Sequence, residues 1–135
     1  MEIQNLTRNT SVVFNVHVAD NFFTRFRGLM GTKSLTEGEG LVILPCNSIH
    51  THFMRFPIDV LYVSRDLEVV HVDQDMAPWR FGRIHRKAHF VIELPAGTAA
   101  ATRTEVGDRI AVSGTENYEL SIVNCQCPEP PIIHN

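Results

Sequence analysis

No uninterrupted apolar run in this chain exceeds four residues, as at Leu41–Leu44. A helix that crosses a membrane needs about 20, so no membrane span is expected. The opening MEIQNLTRNT has no charged start that runs into an apolar stretch, which points to a cytoplasmic protein without a signal peptide. Cysteine is scarce. The chain has three, Cys46, Cys125 and Cys127, and an odd count with a Cys-x-Cys near the end is not a disulfide framework. A surplus of positive charge is also lacking: 12 Lys and Arg stand against 15 Asp and Glu, a net charge of −3. Bulk electrostatics therefore do not favour nucleic acid or an anionic membrane as partner. The signatures Gly-x-Ser-x-Gly, HExxH and GxxxxGK are absent, and no catalytic residue can be named from a motif.

The 135 residues are enough for one ordinary domain. Apolar residues make up 44% and charged residues 20%, which supports a packed core and excludes disorder over most of the length. Residues 1–10 are polar and are expected to fray. Residues 11–123 read as a single β-rich domain, and 124–135 as a flexible tail containing Cys and Pro. The alternation in 12–19 predicts a strand with one apolar face. Further strands are expected at 41–44, 49–54, 58–63, 67–75, 89–94, 109–112 and 118–123. A short helix is expected over 21–31, capped by Asp20 and stopped by Gly31. A second, rich in Ala, is expected after Pro95. Many short strands with two short helices give a mainly β fold, α+β at the margin: a compact, partly closed β-barrel or sandwich.

The densest chemistry lies in Cys46-Asn47-Ser48-Ile49-His50-Thr51-His52-Phe53-Met54. On a strand, alternate residues share a face. His50 and His52 would then stand about 7 Å apart, close enough for both rings to reach one ion. Cys46, His50 and His52 are accordingly a candidate metal set, with Met54 as a further soft donor, leaning to copper or zinc. The competing interpretation is that these are core fillers and a histidine bonded to backbone. Cys46 and His50 could also form a thiolate–imidazole dyad, against which a buried structural cysteine is the commoner case. If the hairpin turn is 64–66, Asp59 lies opposite His71 and would orient its ring. Alternatively Asp59 caps backbone amides at the start of its strand, and this is the preferred interpretation.

Arg80, Arg83, Arg86 and Lys87 follow Trp79 and enclose Phe81. Such a loop could hold phosphates and stack bases, meet an acidic partner protein, or simply be solvated. The lone Cys125-x-Cys127 is a weak soft-metal signal, since ordering a tail costs entropy. Arg25 and Arg27 read as surface charges of the 21–31 helix.

The segments ADNFFTRFRGLMG, CNSIHTHFMRFPIDVLYV and FVIELPAGTAAATRTEVGDRI, in that order across residues 18–110, resemble the uncharacterised prokaryotic family named domain of unknown function 192. The resemblance implies a compact β-rich domain and no established reaction, substrate or cofactor. The motif positions it implies here are Arg27, Gly28, Leu29, Met30, Gly31, His50, Thr51, Met54, Pro57, Asp59, Glu93, Leu94, Gly97, Gly107 and Asp108. The family usually has an aromatic residue at the position of His52, which counts against a metal site that needs it.

The expected function is a small non-enzymatic binding or accessory module for a small molecule or protein partner. Its ligand face would include His50, Thr51, Met54, Asp59 and Arg27. One rival is a metal-dependent or thiol enzyme centred on Cys46, His50, His52, Asp59 and His71. The other is a nucleic-acid binder using residues 79–87, which the negative net charge disfavours.

Overall fold

The structure, a computed structural model, describes residues 2–19, 21, 29 and 33–113. Eight strands and one helix follow in chain order: β1 (Glu2–Asn5), β2 (Thr10–Val13), β3 (Asn15–Ala19), β4 (Glu39–Ile43), β5 (Ile58–Val63), β6 (Val69–Met76), β7 (Phe90–Pro95), α1 (Thr98–Ala101) and β8 (Ile110–Ser113). They form a three-stranded sheet in the order β2-β1-β8 and a five-stranded sheet in the order β3-β4-β7-β5-β6. Pairing is antiparallel throughout except between β3 and β4, which are parallel.

The fold is mainly β, as expected, and among the described residues neither sheet closes on itself. Of the two forms anticipated, the sandwich is the one this arrangement fits. Ile3, Val12, Val13, Ile110 and Val112 of the smaller sheet pack with Val42, Leu61, Val63, Ile92 and Leu94 of the larger one. The other face of the larger sheet carries a second core of Leu41, Ile43, Ile58, Val60, Tyr62 and Val91, joined by Ile49, Met54 and Ala88 from loops. All six residues of β5 are buried, and so are the first five of β7. That is why both read as near-continuous apolar runs, each interrupted by one carboxylic residue, Asp59 or Glu93, instead of alternating ones.

Several sequence expectations are corrected. The start of the chain does not fray: β1 is the central strand of the smaller sheet, with Ile3 fully buried. Its partner β8 lies about a hundred residues away, and composition carries no trace of such pairing. Buried Asp108 ties the same region down. It accepts hydrogen bonds from the Asn5 amide (2.9 Å), the Arg8 guanidinium (3.0 Å) and the Glu105 N–H (2.9 Å). Burial pushes the Asp108 carboxyl up, but these bonds and the Arg8 charge together hold it below its usual range.

The strand expected at 12–19 is two strands, divided at Phe14, whose N–H donates to the Gly38 carbonyl. No strand forms at 49–54. The segment makes one isolated bridge, His50 to Phe81, and Phe53 takes a positive φ of 63°, which a continuing strand cannot accommodate. The Ala-rich helix forms as α1. The helix expected over 21–31 and the strand and tail expected over 118–135 lie outside the described residues.

Glu93 stands at the middle of the larger sheet, paired with Leu41 on one side and Val60 on the other. Its Oε1 has no hydrogen-bond partner among the described residues, and burial raises its pKa to about 8. The folded chain therefore holds a proton at neutral pH that the unfolded chain releases. For a carboxyl raised on folding, the contribution to stability is greatest below the ordinary glutamate value of about 4.3. It falls as pH rises towards about 8. We predict that wild-type unfolding free energy, measured by urea titration, declines across this window relative to Glu93→Gln. Parallel curves for the two proteins would show that Glu93 is ionised in the fold.

Candidate functional site

The second face of the larger sheet is covered by two irregular segments, 45–57 and 77–89, and both are free of carboxylates. Thr51, fully buried, staples them together. Its hydroxyl donates to the Ala77 carbonyl at 2.7 Å and accepts from the Arg80 N–H at 2.8 Å. Its own N–H donates to the Arg80 carbonyl, and its carbonyl accepts from the Trp79 N–H. Further along, the Gly82 N–H donates to Ile49 and the His85 N–H to Asn47, each at 2.8 Å. Gly82 is needed here for close approach: a Cβ would stand 3.0 Å from the Ile49 carbonyl oxygen and 3.1 Å from the Tyr62 hydroxyl.

This stapling leaves large apolar side chains in solvent. Phe81 is 82% exposed, and Phe53, Trp79 and Ile84 are each more than half exposed. The rings pack on one another as a ridge. Phe53 lies 4.7 Å from Trp79, and His52 bridges Trp79 at 5.5 Å and Phe81 at 4.4 Å. Arg55, Arg80, Arg83, Arg86 and Lys87, on the same two segments, are all exposed.

Beside the ridge, β6 and the 77–89 segment enclose a polar cleft of about 420 Å³, lined by His71, Asp73, Gln74, Met76, Phe81, Gly82, Arg83 and His85. His71 and Asp73 are two apart on β6 and meet at 2.9 Å, Nε2 to Oδ1. The other Asp73 oxygen accepts the Tyr62 hydroxyl at 2.9 Å. Burial and the adjacent Asp73 charge push the Tyr62 pKa far up, so the phenol remains a donor. The His85 ring stacks on His71, with centroids 4.1 Å apart and planes 18° from parallel, and also lies 4.2 Å from Tyr62. Burial lowers the His85 pKa and His71 lowers it further, while its buried Nε2 has no partner among the described residues. The His85 imidazole is therefore neutral at neutral pH.

The residues singled out from sequence separate into several places. Asp59 and His71 do not meet. The connection between the paired Val63 and Val69 spans 64–68 instead of 64–66, and a bulge between Tyr62 and Val63 adds one more position, so that Tyr62 faces His71. Asp59 instead accepts three backbone N–H groups, from Asp75 at 2.8 Å, Gly97 at 3.1 Å and Ala99 at 2.9 Å. Asp59 thus caps backbone amides as expected, but those of β6 and of the start of α1 instead of its own strand start. The Cys46 thiol donates to the Ser48 carbonyl at 2.9 Å. His50 accepts the His52 N–H on Nδ1 at 3.2 Å, and the two rings stand 5.4 Å apart. Without a strand at 49–54, the common face proposed for Cys46, His50 and His52 is not formed. Met54 is a core residue and Thr51 the staple. Arg27 lies outside the described residues. Of the basic loop, only Arg83 lines the cleft.

Sequence inspection missed Asp73, Tyr62 and His85. The His71-x-Asp73 spacing on a strand was the available signal for the first. His85 was concealed among basic neighbours.

Comparison with known proteins places this geometry in context. The model of the family DUF192, described as Uncharacterized ACR, matches residues 4–112. A UPF0127 protein of Pyrococcus furiosus is 37% identical over 111 residues, covering 78% of this chain and 93% of that protein. A UPF0127 protein of Thermococcus kodakarensis is 32% identical over 125 residues, 89% of this chain and 78% of that protein. Among solved structures, a protein of unknown function from Novosphingobium aromaticivorans superposes with a TM-score of 0.73 at 20% identity, covering 82% of each chain. A Sinorhizobium meliloti chain named as a candidate transcription regulator gives 0.70 at 19% identity, covering 82% of this chain and 89% of that one. At such identities the structural likeness concerns the fold.

Asp59→Ala would strand three backbone donors. Each buried unpaired group costs about 1–3 kcal/mol, so we predict a loss of about 3 kcal/mol or more in denaturant unfolding, with Asp59→Asn recovering part of it. A loss near zero for Asp59→Ala would contradict the clamp.

Proposed function

The chain belongs to the DUF192 family, and we propose that it is a small non-enzymatic binding module that docks an acidic segment of a partner protein. The observation that carries this is the exposed aromatic ridge of Phe53, Trp79 and Phe81, on two segments that also carry exposed Ile84 and five exposed basic side chains and no carboxylate. Exposed Trp and Arg beside apolar anchors are the composition of protein-interface hot spots. The ligand face thus shifts from the expected set His50, Thr51, Met54 and Asp59, which are engaged within the fold, to their neighbours His52 and Phe53 and the facing 79–87 loop.

The same loop was the basis for a nucleic-acid binder. One feature favours protein: the ridge rings lie against one another, which takes up faces that bases would stack on. We place the module in the cytoplasm, in keeping with an odd cysteine count that makes no disulfide framework. No helix among the described residues is long and apolar enough to cross a membrane.

The test is fluorescence anisotropy with two labelled probes, a Glu- and Leu-containing peptide and an oligo(dT) strand. The peptide is expected to bind, and to weaken with rising salt. Trp79→Ala should cost roughly 30-fold or more, the scale of a hot spot of about 2 kcal/mol. Arg80→Glu combined with Arg86→Glu should abolish binding. No peptide binding, or binding indifferent to these changes, would overturn the proposal. Tighter binding of oligo(dT) would replace it with the nucleic-acid reading.

A further inference from the structure

We propose that His71, Asp73 and His85 form a binding site for a divalent transition-metal ion of the zinc type, in the cleft beside the ridge. One ligand atom from each of the three lies within 4.8 Å of the other two. The two segments that supply them are held independently. β6 presents His71 and Asp73 on one face, and the loop bonds from Gly82 and His85 to Ile49 and Asn47 bring in the second imidazole.

The donor set selects the class of ion. Two imidazoles and one carboxylate suit zinc and its transition-series neighbours. Calcium and magnesium require shells of oxygen, which the cleft does not supply. The support around the ligands is also of the kind a metal site needs. Asp73 is oriented through its second oxygen by Tyr62, as ligating carboxylates commonly are. The buried Nε2 of His85 has no partner among the described residues, an uncommon condition for a polar atom that coordination by a metal would relieve. Three protein ligands leave a fourth position open to the cleft, where Gln74 and Arg83 stand.

Bonds of about 2.0–2.1 Å to a tetrahedral ion place ligand atoms roughly 3.4 Å apart. His71 and Asp73, at 2.9 Å, need only a small separation as the ion replaces the hydrogen bond between them. The histidine rings must turn from a stacked to a convergent arrangement. His71 and Asp73 have room for this, with 38% and 29% of their side chains exposed. The site does not depend on the partner-docking proposal, because none of its three ligands belongs to the ridge.

Untagged protein, stripped with chelator and then dialysed free of it, should be titrated calorimetrically with zinc chloride, with magnesium chloride as control. The expected result is one zinc per chain and no magnesium binding. His71→Ala and His85→Ala should each weaken zinc by at least tenfold, and Tyr62→Phe by about 10- to 100-fold as the loss of a supporting hydrogen bond. His17→Ala, on an exposed histidine of β3, should change nothing. Circular dichroism of each variant separates loss of the site from loss of the fold. His71→Ala, at a partly exposed position, keeps the test open should His85→Ala not fold. Cobalt in place of zinc should give the visible absorption of a low-coordinate nitrogen and oxygen site, without a thiolate charge-transfer band. Absence of zinc binding would overturn the proposal. So would weak multisite uptake indifferent to His71 and His85, or a site lost in Cys46→Ser or His50→Ala instead.

Discussion

Burial of β5 and β7 on both faces is the constraint from which the candidate site follows. A strand covered on one side can turn its polar residues to water, but these two cannot. Each polar group on them must find a partner or give up its charge. Three such groups occur, and each takes a different route. Asp59 is clamped by three backbone N–H groups. Glu93, with Oε1 unpartnered among the described residues, takes a proton. Tyr62 reaches across to Asp73 on the neighbouring strand. That last solution fixes the Asp73 carboxylate, which in turn holds His71, against which His85 stacks. The cluster begins with the need to satisfy one buried phenol.

The second constraint is that loops, not helices, supply the described cover over that part of the sheet. Irregular backbone cannot bond to itself in a regular ladder, so its polar groups must be paired individually. Thr51 does this for two segments at once, and Gly82 allows the chain to pass against the Ile49 carbonyl and the Tyr62 hydroxyl. Apolar residues on such loops divide between two fates. Ile49, Met54 and Ala88 turn inward to complete the core. Phe53, Trp79, Phe81 and Ile84 have no inward space left and remain outside.

How much of this was legible depended on how local the cause was. β5 could be read from IDVLYV to the residue, because burial on both faces writes an apolar run, broken at Asp59 alone, bounded by Pro57 and a polar turn. β1 could not, because its stability comes from β8 and β2 rather than from its own four residues. IHTHFM has the pattern of a strand, but the hydrogen bonds of Thr51 to the 77–82 segment outcompete the ladder. The Asp59–His71 pairing failed because the β5–β6 connection is two residues longer than 64–66 and a bulge adds one more position, neither of which changes composition. The fold class and the basic loop were therefore visible, whereas the His71–Asp73–His85 grouping was not. His85 comes from a loop whose position is set by contacts with Ile49 and Asn47, and nothing in its own neighbourhood predicts them.

The two proposed surfaces share the 77–89 segment. It carries Trp79 and Phe81 outward and His85 inward, and four hydrogen bonds from Trp79, Arg80, Gly82 and His85 pin it to the 45–57 segment. An ion that draws His85 towards β6 would pull on a loop fixed at those points. Its effect would reach Phe81, which lines the cleft and also stands on the ridge. Coupling of this kind requires that the ion and the partner prefer the same loop position, since a ligand indifferent to two states shifts neither. Gly82, where a Cβ would stand 3.1 Å from the Tyr62 hydroxyl, runs close against β5 and lines the cleft next to Phe81, so the cleft and the ridge meet at these two residues.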